Sequence, residues 1–194
     1  PGLINAASQL SLFEISGLEQ TRDHAELARF QPDLRTTSAI DPFSEHVAVA
    51  RAEGITTAAV LPTGGIVSGR GSLVQLDGWS MPEMLREGEI GLVVSLPSLP
   101  ARLPAEDRAK AIDRLAAAWE EIERYFDRAV HFSEAQPGVL PRDLGHEAMT
   151  PYLRAEKKVL FRANSYKDIL QAVRFAEHYG LRAVILGGGE AWKV

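Results

Sequence analysis

The chain has 194 residues, 45% of them hydrophobic and 24% charged, the makeup of one compact domain or most of a larger one, which excludes disordered and collagenous chains. No apolar run approaches the roughly 20 residues that cross a bilayer, and the absence of cysteine removes a disulfide framework and a thiolate metal site and suits a reducing cytoplasm. A formal charge of −5 offers no basic face to a phosphate backbone, so neither a membrane nor a nucleic acid is an expected partner.

In chain order, residues 2–6 form a short strand candidate, and 55–61 a stronger, β-branched one stopped by Pro62. Between them Pro42 and Ser44 open a helix that runs through Val47 and Ala50 to Gly54. The glycine-rich stretch 63–72, which includes Gly65, reads as a flexible loop whose amides could cradle an anion or let a substrate approach closely. Segments 73–76, 90–96, 158–163 and 183–186 are further strand candidates, apolar on both faces as strands covered on both sides are. From about residue 106 to 130, Ile112, Leu115, Trp119, Ile122, Phe126 and Val130 fall on one helical face. Ser165 caps a last helix through Ile169, Val173 and Ala176 to a stop at Gly180. Helix, glycine and strand recur at Gly54 and Gly180, a rhythm that builds either a doubly wound sheet or a closed barrel with parallel strands.

Chemistry-bearing residues are sparse. None of the histidines His24, His46, His131, His146 and His178 has another at the spacing that aims two imidazoles at one metal. The carboxylates Glu14, Asp41 and Glu190 stand near strand ends without an acid-base partner. Gly187-Gly188-Gly189 follows a strand and precedes an apparent helix, which fits either a phosphate cradle or a tight turn. Trp79 and Trp192 read as core or rim aromatics, with core favoured.

The opening Pro1-Gly2-Leu3-Ile4-Asn5-Ala6 resembles the start of the first barrel strand in the amidohydrolase superfamily, Pro-Gly-Leu/Phe-Ile-Asp-Ala-His-x-His. The likeness continues through Glu53-Gly54-Ile55-Thr56-Thr57 into the glycine-rich loop. It returns at Ala163-Asn164-Ser165-Tyr166-Lys167-Asp168-Ile169 and at Leu181-Arg182-Ala183-Val184-Ile185, and is nearest to imidazolonepropionase-like members. The resemblance implies a TIM-like (β/α) barrel, here incomplete, with parallel strands about one to six. The last strands and a flanking β-sandwich would lie outside residues 1–194; a full barrel takes about 250 residues. It also implies hydrolysis of a C–N bond by water activated on zinc or another divalent metal, held by histidines of the first, fifth and sixth strands, with a late aspartate taking the proton.

The residues at those positions differ. The first-strand histidines correspond to Ala7 and Gln9, the fifth-strand histidine to Arg162 with Asn164 as the alternative register, and the sixth-strand histidine to Gly187. Alanine and glycine carry no ligand atom, a neutral amide is a poor zinc ligand, and a fixed cation repels a metal. No cofactor is therefore expected in this chain. Two readings compete: a working hydrolase with unfamiliar ligands such as Glu190, or a metal-free barrel that serves as a binding or assembly module for a small molecule. In the second, Gln9, Gly65, Arg162, Asn164, Gly187, Gly188 and Glu190 line a pocket where Arg162 holds a carboxylate. A third reading is a doubly wound module that binds a phosphorylated ligand at the Gly187 turn. Unpaired edges of an incomplete barrel predict self-association.

Overall fold

The computed structural model describes residues 2–12, 28–100, 102, 104–135 and 141–194; Pro1, Glu14 and His24 lie outside them. Its regular elements are β1 (Leu3–Ser8), α1 (Glu45–Ala52), β2 (Ile55–Val60), β3 (Val67–Gln75), α2 (Met81–Met84), β4 (Leu85–Val94), α3 (Arg108–Glu134), α4 (Leu144–Leu153), β5 (Lys158–Ala163), α5 (Tyr166–His178) and β6 (Arg182–Gly187). The strands form one six-stranded sheet in chain order. It curves into a TIM-like barrel left with one open seam between β1 and β6. At that seam β1 carries Leu3 and Ile4 65% and 69% exposed.

Five strands run in a common direction, since β1 pairs parallel with β2, β4 with β5 and β5 with β6. The exception corrects the expectation of an all-parallel sheet: β3 lies antiparallel to both β2 and β4. Its connections explain the reversal. A parallel return needs a crossover of about a dozen residues or more, whereas only 61–66 separate β2 from β3 and only 76–84 separate β3 from β4. Gly64 and Gly65, with φ of +93° and +62°, turn the chain back on itself. The same geometry corrects the loop expected over 63–72: from Val67 onward this stretch is strand. Gly71 leaves room inside it for Leu61, whose Cδ2 a Cβ there would meet at 2.4 Å.

The helices begin and end where local chemistry directs. Ser44 Oγ accepts from the amide of His46 to open α1, and Ser165 Oγ accepts from the amide of Asp168 to open α5. Helix α4, unforeseen in the sequence, is capped by Asp143 and buries Ala148, Met149 and Tyr152. Three helices cover the outer face of β4 and β5. Leu92, Val94, Val159 and Phe161 pack there against Ile122, Phe126, Met149, Tyr152, Ile169 and Phe175. Strand β3 is covered differently: residues 29–34 lie along it, with Gln31 N donating to Val67 O and Arg70 N to Leu34 O, and Phe30 stacks on Tyr125 of α3 at 4.2 Å. Among the described residues, the apolar cluster inside the sheet is small: Leu61, Val93 and Leu160, with Ile90 and Leu186 packed beside them. Trp79 and Trp192 belong to no core; they are 81% and 80% exposed, each on a short turn with no layer packed above it.

Candidate functional site

The C-terminal ends of the parallel strands share one rim, and the reversed β3 presents its first residues to the same rim, because Val67 pairs with Val94 and Val94 with Phe161. On β5, Phe161 faces the helices and Leu160 faces the interior. Side chains alternate along a strand, so the next residue, Arg162, projects inward at the rim. Its Nη2 donates to the carbonyl of Pro62 at 3.1 Å. Since β3 and β4 separate β2 from β5 in the sheet, that bond spans the interior. The Nε of Arg162 is buried with no partner among the described residues, and none of their carboxylates forms an ion pair with it. Partial burial lowers the pKa of the guanidinium.

Gln9 reaches the same place from the other side. Ser8 Oγ donates to Ala59 O, and Leu61 N donates to Ser8 O at 2.8 Å, which binds the end of β1 to the end of β2. Gln9 follows directly and donates from Nε2 to Thr63 Oγ1 at 3.0 Å. Gln9, Pro62, Thr63 and Arg162 therefore gather at one point of the rim. Ala7, on β1, is exposed and adds no polar group. Ser68, at the start of β3, has a buried hydroxyl without a partner among the described residues. In the sequence it is one more residue of the glycine-rich stretch 63–72, and nothing local distinguishes it.

The remaining candidates divide. Gly65 closes a turn against the preceding segment: a Cβ there would lie 2.7 Å from Arg29 O, and Ile66 N donates to that same carbonyl. Asn164, Gly187, Gly188 and Glu190 come together at the ends of β5 and β6. Gly187 leaves room for Asn164, whose Oδ1 a Cβ would meet at 2.2 Å. The amides of Gly188 and Glu190 are occupied, donating to Ala163 O at 2.8 Å and Asn164 O at 2.9 Å, so neither is free for a phosphate. The carboxylate of Glu190 accepts from Tyr166 N at 2.7 Å, at the first turn of α5, and pairs with Lys193. The Lys193 hydrogen bond, followed by that of the Tyr166 amide, holds its pKa below the usual carboxylate value. After it the chain makes only a 3-10 turn, Ala191–Lys193.

Among the described residues no group of three or more His, Asp or Glu side chains could hold a metal ion. The described histidines, His46, His131, His146 and His178, all sit on helices, away from the strand rim. A cavity of about 680 Å³ lined by Phe43, Arg51, Thr56, Gln75 and Trp79 opens at the opposite end of β2, remote from Arg162. No helix among the described residues is long and apolar enough to cross a membrane.

No known family profile matches this sequence, and no curated protein does. A solved structure does: the chain superimposes on an amidohydrolase from Thermotoga maritima MSB8 with a TM-score of 0.76 at 23% sequence identity. The likeness covers 100% of this chain and 52% of that one. It shows a shared barrel fold, and the chain spans about half the length of the protein it matches.

Proposed function

We propose that this chain is part of an amidohydrolase-like barrel that has given up metal-assisted hydrolysis and binds a small carboxylate at its strand rim. One observation carries the proposal: Arg162 projects into the interior, is tethered to Pro62 O, and has no carboxylate partner among the described residues. A half-buried guanidinium without a counter-charge is stabilised by an incoming carboxylate, which it can meet with N–H donors. The donor set does not fit zinc. Ala7 and Gly187 have no ligand atom, the Gln9 amide donates to Thr63, and Arg162 brings a positive charge to the place where the imidazolonepropionase-like pattern has a histidine. The competing reading, a working C–N hydrolase that draws on Glu190, is weakened by the commitment of that carboxylate to Tyr166 and Lys193.

In the same proposal, further barrel strands and a β-sandwich outside residues 1–194 close the seam in a larger cytoplasmic protein. Alternatively, the free edges of β1 and β6 bring copies together. Calorimetric titration of the chain with short carboxylates tests the central claim. Binding is expected to weaken about 10- to 100-fold in Arg162→Ala, the equivalent of about 1.5–3 kcal/mol for a charged hydrogen bond. Unchanged affinity in that variant, or stoichiometric zinc in the purified protein, defeats the proposal.

A further inference from the structure

We infer that the cavity at the far end of β2, lined by the start of α1 and the turn after β3, binds a neutral sugar of pyranose units, stacked on Trp79 and Phe43 and hydrogen-bonded to Arg51 and Asp77. The inference does not rest on Arg162. At about 680 Å³ the cavity has the size that takes a small molecule. Its two aromatic side chains lie largely in water, Phe43 73% and Trp79 81% exposed. Their backbones are nonetheless fastened. Phe43 N donates to Asp41 Oδ1 at 2.9 Å, and Trp79 N to Glu83 Oε2 at 2.7 Å. Gly78, at a φ of +144°, presses the turn that carries Trp79 against the buried Met84, whose Cγ a Cβ would meet at 2.9 Å. Exposed rings on a fixed backbone are preorganised for a ligand.

The polar lining decides the ligand. Arg51 Nη1 donates to Leu76 O at 3.3 Å and lies 3.6 Å from Asp77 Oδ1, near enough to balance its charge and too far for a good hydrogen bond. Such a pair gives an ionic ligand no net charge to meet. An apolar ligand laid over it would take two charges from water without replacing their bonds. The ligand must therefore accept from a guanidinium, which only donates, and donate to a carboxylate, which only accepts. Hydroxyls do both. Gln75, whose amide oxygen accepts from Arg86, keeps its amide nitrogen as a further donor. A pyranose meets both demands: its edge carries hydroxyls, while its C–H face covers the apolar surface of an aromatic ring. A purine base would stack as well, but it brings no hydroxyl.

Ligand-observed NMR titrations of the full chain with cellotriose and with maltotriose test the inference, with adenine as the stacking ligand that lacks hydroxyls. At least one trisaccharide is expected to bind saturably and more tightly than adenine. Trp79→Ala is expected to weaken that binding about tenfold or more, as loss of an aromatic anchor does, and Asp77→Ala about tenfold, as loss of a charged hydrogen bond does. Both side chains are largely exposed, so neither variant threatens the fold. Trp192→Ala removes an equally exposed indole outside the cavity and should leave affinity unchanged. Failure of both trisaccharides to bind overturns the inference. So does an affinity that either Trp79→Ala or Asp77→Ala leaves unmoved, or that Trp192→Ala abolishes. Adenine bound as tightly as the sugars, or more so, overturns the sugar in favour of a planar base. None of these outcomes bears on carboxylate binding at Arg162.

Discussion

Three successive residues of β5 face two different environments. Phe161 packs outward beneath α5, in a layer where Phe126 and Phe175 meet edge to face at 4.8 Å and Leu92, Val94, Val159 and Phe161 are fully buried. Leu160 and Arg162 point inward, where the apolar cluster is reduced to Leu61, Val93 and Leu160 and a cation sits above it. The contrast separates an apolar layer that holds the sheet from a rim that carries a charge. Apolar burial on the outside holds the fold, at about 25 cal/mol per Å² removed from water. The rim keeps the guanidinium of Arg162, bonded to Pro62 O and with its Nε buried without a partner among the described residues.

The largest effect is expected in the outer layer. Phe126 is fully buried, and Phe126→Ala should cost about 3–5 kcal/mol, the range for deleting a buried aromatic side chain, read as a lower midpoint in urea unfolding. A loss under about 1 kcal/mol would mean that the layer beneath α3 does not hold the barrel together.

Next comes the polar seam between the outer layer and the far end of β4. Glu89 accepts from the Tyr152 hydroxyl and pairs with Lys157 at 2.9 Å and Arg70 at 3.4 Å. Burial pushes its carboxyl pKa up, but the hydrogen bonds from Tyr152 and Lys157, with the charges of Lys157 and Arg70, outweigh burial and leave it below 4.5. A carboxylate depressed in the folded state stabilises above its unfolded pKa, and that contribution fades as pH falls through the folded value. Glu89→Gln should therefore cost about 2–3 kcal/mol at pH 7, less than a fully buried pair because Lys157 is nearly half exposed. The variant should also lose less stability than the unaltered chain as pH falls below about 4.5. Parallel acid unfolding curves for the two proteins would contradict this.

The interior gives a smaller effect of a different kind. A Cβ on Gly91 would lie 2.7 Å from Leu160 Cγ and 2.8 Å from Lys158 O. Gly91→Ala should cost about 1–3 kcal/mol by overpacking, measured by thermal unfolding. A neutral result would show that the sparse interior has slack and would erase the distinction between a tight outer and a narrow inner layer.

The same division governs what could be read from the sequence. Strands β2, β5 and β6 and helix α5 were legible because their signals are local: β-branched runs, glycine stops, and Ser165 placed to cap. Strand β3 was legible only at its end, over 73–75; its first half was not, because Gly69 and Gly71 look like flexibility, whereas Gly71 leaves room for Leu61 at the end of β2. Helix α4 was hidden by Pro151 within it, and its identity depends on burying Met149 and Tyr152 beneath a distant segment. Of the site, Arg162 and Gln9 stood out only through their place in a motif. Their junction at Pro62 and Thr63, and the spending of the Gly188 and Glu190 amides on strand-end carbonyls, are tertiary facts with no local trace.

The smallest expected change in stability is also the most discriminating. If Arg162 is kept for recognition, replacing it with an apolar side chain of similar length should remove a desolvated cation at no structural cost. Substituting well-packed apolar groups for buried charges is often neutral or stabilising, and sites retained for function are where such gains are found. Arg162→Met should then unfold within about 1 kcal/mol of the unaltered chain, or above it, while losing carboxylate binding. If instead the bond to Pro62 O is what fastens β5 to β2 across the interior, Arg162→Met should fall by about 2 kcal/mol or more, since the carbonyl is left unpaired. Chemical denaturation and ligand titration on that one variant therefore decide whether the guanidinium is a strut or a receptor.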